Sequence, residues 1–143
     1  MIGRLHLEGR RPRENSSGID SGLMKENKQF ARGIELFNAG KFFEAHEAWE
    51  ELWLRESGDE KTGLQGLIQV AAAFHHHGRQ NRAGTESLLA AGLAKLAELP
   101  ETFGGIELAR LRRDAKTWAE SHPGNYPKIK LAVRKGRERK RNE

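Results

Sequence analysis

From Phe30 to Trp118 the apolar residues return every three or four positions, and no stretch of useful length alternates apolar with polar. That period belongs to helices with one buried face, whereas a half-buried strand needs alternation. A chain patterned this way folds as packed helices. Phe30, Ile34 and Phe37 mark a first helix ending near Asn38-Ala39-Gly40, where glycine permits the left-handed turn common at helix ends. A second runs from about Lys41 to Arg55 and is broken by Ser57-Gly58-Asp59. A third, from about Thr62 to His77, carries Leu64, Leu67, Ile68, Ala71, Phe74 and His75 on one face, with Gly78 as its stop. A fourth runs from about Ala83 to Leu99 and is closed by Pro100, and a fifth carries Ile106, Leu108, Leu111, Ala115 and Trp118. Short loops make neighbours antiparallel. The expected fold is all-α: a compact bundle of about five helices built from two antiparallel helical hairpins.

The ends differ from this body. Residues 1 to 22 are rich in Arg, Gly and Ser without apolar period and read as a disordered extension, so Met24 is a candidate translation start. Residues 123 to 143 read as a basic tail, which sets the helical domain at residues 24 to 122. The formal charge of +5 divides unevenly: residues 24 to 122 hold 13 Lys or Arg against 15 Asp or Glu. Basic ends on a slightly acidic body point to nonspecific nucleic acid contact through the tails, and to no specific site. Cysteine is absent, which excludes disulfides and thiolate chemistry. No apolar run is long enough to span a membrane or to serve as a signal peptide, so a cytoplasmic protein with no membrane partner is expected.

One helix carries groups that packing alone does not explain. Stepped at about 100° per residue, the segment Phe42 to Trp53 places Leu52, Ala45, Trp49, Phe42, Trp53, His46, Glu50 and Phe43 along one arc, while Glu44, Glu51 and Arg55 point away. A histidine and a glutamate at i and i+4 thus share a face with two tryptophans. A carboxylate buried there has to be paired, protonated or bound to a cation. The third helix offers Gln69, His75 and His76 as complements. The expected ligand-binding set is His46, Glu50, Gln69, His75, Trp49 and Trp53, with His46, Glu50 and His75 as the set that would hold a metal. Self-pairing of His46 with Glu50, and tryptophans serving as core, are the simpler readings of the same residues. Neither H-E-x-x-H nor the di-iron Glu-x-x-His pattern is matched, because Glu50 replaces a second histidine and Phe43 stands where a glutamate is needed. His75, His76 and His77 diverge around the helix and do not grip one ion together. Glu47 and Glu51 read as a solvated pair. No cofactor and no catalytic residue can be assigned.

The turn GKFFEAHEAWEELW resembles that of a tetratricopeptide hairpin, and Leu36, Gly40 and Ala45 recur 38 residues later as Phe74, Gly78 and Ala83. More specifically, the paired motifs A-H-E-x-W-E-x-x-W at residues 45 to 53 and L-Q-G-L-I-Q-x-A at residues 64 to 71 resemble the family called domain of unknown function 309. That resemblance covers about residues 26 to 100 and implies a small all-helical protein without assigned activity. Its signature positions fall on His46, Glu47, Trp49, Glu50, Trp53, Gly66, Gln69 and the turn from Asn81 to Gly84. The chain departs from the pattern at Gln80, where glycine is more usual, and at Thr85, where alanine is. The reading that follows is an uncharacterised, noncatalytic helical module whose His/Glu seam binds a small ligand, a metal or a partner segment, with a homodimer as a further expectation. The alternative is a metal-dependent hydrolase acting on a nucleotide-like or phosphate substrate, with Glu47 as base.

Overall fold

Asn27 opens the first helix by accepting hydrogen bonds on its side-chain oxygen from the backbone N–H groups of Gln29 and Phe30. Those are two of the donors that a helix start leaves unpaired. The computed structural model describes residues 24–121 and 124–132. Its helices are α1 (Lys28–Asn38), α2 (Phe42–Trp53), α3 (Gly58–Gly78), α4 (Arg82–Leu96) and α5 (Leu108–Ser121). Between α4 and α5 lie two strands that the helical period hides, β1 (Thr102–Phe103) and β2 (Ile106–Glu107), paired antiparallel. Two residues are too few for alternation to register. The fold is all-α, as the period requires, and α3 begins at Gly58 rather than near Thr62.

The first turn behaves as its glycine suggests. Gly40 stands at φ 82°, and the N–H of Lys41 reaches back to the carbonyl of Leu36 at 2.8 Å. The second turn has the same geometry, but not at the expected glycine. Gly78 is still helical; the left-handed residue is Gln80, at φ 61°, and the Asn81 N–H reaches His76 O at 2.9 Å. The structural repeat therefore pairs Gly40 with Gln80, two residues beyond the match in sequence. Thr85 returns its hydroxyl to the Asn81 carbonyl at 2.8 Å and is buried. A left-handed L-residue costs roughly 1–2 kcal/mol, partly offset by the backbone entropy that glycine would lose. Gln80→Gly is therefore expected to stabilise the domain by about 0.5–1 kcal/mol in urea denaturation; a loss of stability would contradict this turn.

Helix α3 is the centre of the molecule, with every residue from Gly63 to Phe74 buried. It packs between α2 and α4. Its approach to α4 is close because two glycines face each other: a Cβ built on Gly66 would lie 2.5 Å from a methyl carbon of Leu96, and one on Gly92 2.9 Å from the Gly66 carbonyl. An aromatic cluster fills the end of the core where Phe37, Phe42, Phe74 and Trp118 meet.

Folding does not stop at residue 122. Tyr126 sits 4.9 Å from the ring of Phe42 and 5.0 Å from that of Phe74, and Ile129 is buried. The Asn38 amide donates to Ile129 O at 2.9 Å and accepts from Ile129 N–H at 2.7 Å. The N–H of Glu107 donates to Lys130 O, and that of Ala132 to Gly105 O, each at 2.8 Å. Residues 124–132 thus form a strap across the helices, and the basic tail begins after it. One tyrosine and one isoleucine among prolines and lysines have no helical period, so the sequence hides their burial. The expected disordered extension and the rest of the tail lie outside the described residues.

Candidate ligand seam on the second helix

The arc derived from the helical period is the arc that is buried. Phe42, Ala45, His46, Trp49, Glu50, Leu52 and Trp53 all face inward, and Phe43 lies half-buried at its margin. His46 Nε2 stands 3.6 Å from Glu50 Oε1, with side chains 2% and 6% exposed. That separation is within ion-pair reach when His46 is protonated, and too long for a hydrogen bond. With so little water around them, a charged pair at this distance attracts far more strongly than it would at the surface. Both side chains have further interactions besides this one.

The tryptophans flank the pair as core. Trp49 is fully buried, tilts against Phe30 and Phe37, and donates its indole N–H to Phe30 O at 3.2 Å. Trp53 is buried as well, with the ammonium of Lys61 4.1 Å from its ring centroid.

The other expected partners divide. Gln69 is buried on α3, but its Cβ lies beside Gly92, on the side facing α4. His75 is half-exposed and separated from the seam by Phe43, whose ring lies 5.5 Å from His46 and 5.3 Å from His75. Among the described residues no group of three His, Cys, Asp or Glu is placed to hold a metal ion, so His46, Glu50 and His75 are not assembled as a ligand set. Phe43 supplies the physical reason, an apolar ring against both imidazoles. The three consecutive histidines diverge as their spacing demands: His75 meets Phe43, His76 Nδ1 accepts from the Asn81 amide at 3.1 Å, and His77 Nδ1 lies 2.7 Å from the Tyr126 hydroxyl.

His75 has its pKa lowered below the ordinary 6.5, first by desolvation and then by the nearby positive charge of His76, Arg79 and His46, against a weaker opposing effect of Glu44. A folded-state pKa below the unfolded one means that the unfolded chain takes up the proton more readily. Its contribution favours folding above the unfolded pKa and is lost as pH falls from there through the lower folded pKa. An NMR titration is expected to place the His75 midpoint below 6.5, and His75→Gln to flatten the decline in stability on acidification. A midpoint at or above that of a free imidazole would contradict the arrangement.

The seam borders an open basin at Glu50. Between α1 and α2 lies a basin of about 620 Å³ lined by Lys28 and Arg32 on one side and by Glu47, Glu50, Glu51 and Leu54 on the other. Gln29 spans the two helices, donating through one amide nitrogen to Ala48 O at 2.8 Å and to Glu51 Oε1 at 2.7 Å. Glu47 and Glu51 are both exposed, as expected of a solvated pair, and Glu51 is in addition tied to α1. Sequence reasoning missed this basin. Its signal was the run of polar residues Lys28, Gln29 and Arg32 on one side of a helix whose other side is phenylalanine.

An all-helical domain of two hairpins, with a buried His–Glu pair on its second helix, is the class that these features define. Residues 30–88 match the model of the family described as Domain of unknown function (DUF309). An uncharacterized protein of Aquifex aeolicus (strain VF5) is 28% identical over 115 residues, covering 79% of this chain and 34% of its own length. The uncharacterized protein YpuF of Bacillus subtilis (strain 168) is 40% identical over 58 residues, covering 40% of this chain and 33% of its own length. The chain spans about a third of the length of the curated relatives it matches. It is a helical module, and no helix among the described residues is long and apolar enough to cross a membrane.

Proposed function

We propose that this module is a noncatalytic recognition unit whose His46/Glu50 seam, opening at Glu50 into the basin between α1 and α2, holds a small cationic group, free or carried on a partner segment. The observation that carries this reading is a carboxylate side chain 6% exposed that nevertheless lines an open basin. A carboxylate in so little water gains from a cation brought against it, because the attraction is poorly screened. Glu47 and Glu51 flank it, so the basin holds three carboxylates against the two cations Lys28 and Arg32. Leu54, 50% exposed on the rim, offers apolar surface to whatever carries the charge. His46, Trp49 and Trp53 act from behind by fixing α2, and Gln69 and His75 lie away from the opening. No observation favours the metal-dependent hydrolase.

Arginine methyl ester is a suitable probe. Titrated in and followed by backbone amide shifts, it is expected to move Gln29, Ala48, Glu50 and Glu51 together. Glu50→Gln should weaken it by about tenfold or more, since hydrogen bonds to charged groups are worth about 1.5–3 kcal/mol. Shifts scattered over the surface, or affinity indifferent to Glu50→Gln, would reject the reading.

A further inference from the structure

The two walls of the basin between α1 and α2 carry opposite charges that do not meet. Lys28 and Arg32 stand one turn apart on α1, facing Glu47 and Glu50 on α2. Among the described residues neither Lys28 nor Glu47 makes an ion pair, although both line the same basin. Arg32 has only Glu35 at 3.9 Å on its own helix, an exposed pair of the weak kind. Each wall is also unfavourable by itself. Like charges one turn apart repel, and Lys28 opens a helix whose first turn holds no acidic residue, where a cation opposes the helix dipole. Built contacts keep the walls from closing on each other. Gln29 spans the two helices through Ala48 O at 2.8 Å and Glu51 Oε1 at 2.7 Å, and on their buried side Gly33 lies against the Trp49 indole.

We propose that the ligand of this basin is a zwitterion, with a cation and a carboxylate at opposite ends of one aliphatic stem. This rests on the reading of the Glu50 opening as a cation site and adds the second charge. The cation lies against Glu47 and Glu50, the carboxylate against Lys28 and Arg32, and Leu54, 50% exposed on the rim, gives the stem apolar cover. A molecule with two cationic ends would be repelled by α1, and a simple anion by the carboxylates of α2. Only a ligand with both signs satisfies both walls. The basin, about 620 Å³, falls within the roughly 300–1,000 Å³ of sites that hold small molecules. Because the spacing is set before the ligand arrives, little order is lost on binding.

Arginine and its methyl ester differ in whether the carboxylate is free, so titrating the full chain with each and following the backbone amide shifts separates the two charges. Arginine is expected to bind about three- to tenfold more tightly than the ester, as one partly exposed charged contact is gained. That preference should shrink as salt is raised. The double variant Lys28→Gln, Arg32→Gln, both at exposed positions, should cancel the preference and raise affinity for the ester, whereas Glu50→Gln should weaken both ligands. N-acetylarginine models the end of a peptide chain: if it binds as arginine does, the carboxylate is a partner's C-terminus, and if it binds more weakly the ligand is a free amino acid. Either result supports the zwitterion. If the ester binds through Glu50 but arginine binds no tighter, or if the double variant keeps the preference, the zwitterion is overturned while the cation site stands. If neither molecule binds, both readings fall.

Discussion

Gly33→Ala is expected to lower stability by about 2–3 kcal/mol, although glycine inside a helix is normally improved by alanine. The ordinary gain is about 1 kcal/mol. Here a Cβ at residue 33 would lie 2.1 Å from Trp49 Nε1 and 2.5 Å from two further indole atoms, closer than any contact atoms tolerate. The indole has nowhere to retreat: Trp49 is 0% exposed, lies against Phe30 and Phe37, and is held by its hydrogen bond to Phe30 O. Either α1 lifts from α2 or the indole leaves its position and its bond. Overpacking of this kind costs typically 1–3 kcal/mol, and loss of the buried indole bond adds about 1–3 kcal/mol more. Urea denaturation gives the stability, and the near-ultraviolet circular dichroism of the indole should change with it. Trp49→Phe should cost less in the Gly33→Ala background than alone, because it removes the atoms in conflict. A Gly33→Ala protein as stable as the parent would mean that α1 and α2 do not approach as described.

The second large effect concerns the seam, and its signature is non-additivity. His46→Leu alone is expected to cost about 3 kcal/mol or more, because breaking a buried pair leaves the other group in a water-poor site without its partner. Glu50→Leu alone should cost a similar amount. The double substitution should cost clearly less than the two added together, since two leucines leave no orphaned charge and apolar replacements of buried pairs are often near neutral. Side chains 2% and 6% exposed and 3.6 Å apart are close enough to couple. Additive losses in the cycle would show that the two residues answer to other partners and would remove the seam as a unit. The same proteins discriminate between roles: if the double variant is stable and still binds the arginine probe, the seam is structural and the basin binds without it.

What could be read without tertiary structure were properties that repeat along the chain. A 100° step places His46 and Glu50 on the inward arc of α2 whatever that helix packs against, and the structure buries that whole arc. Four of the expected helix ends fall within a few residues of those observed, because glycine, proline and asparagine act locally on the backbone. Gln80 marks the limit of that logic. Gly78 looked like the stop, but the left-handed position two residues on is occupied by a glutamine at φ 61°, a conformation that the neighbouring helices impose and the residue does not prefer.

Tertiary structure decided everything that depends on residues far apart in sequence. Helical phase says that Gln69 and His75 lie on α3, but not how α3 is rotated toward α2; packing set Gln69 beside Gly92 and inserted Phe43 against both His46 and His75. The basin needed α1 and α2 together, and the strap needed Asn38 to meet Ile129 across 91 positions. Period and turn chemistry are local and cost the same in any fold, so the amino-acid sequence determined the all-helical class and the burial of the His–Glu pair. Which side chains face one another is settled by the closest packing of the whole, here by Gly33 under Trp49 and Gly66 against Gly92, and that is why the opening of the seam and the anchoring of the tail appear only in three dimensions.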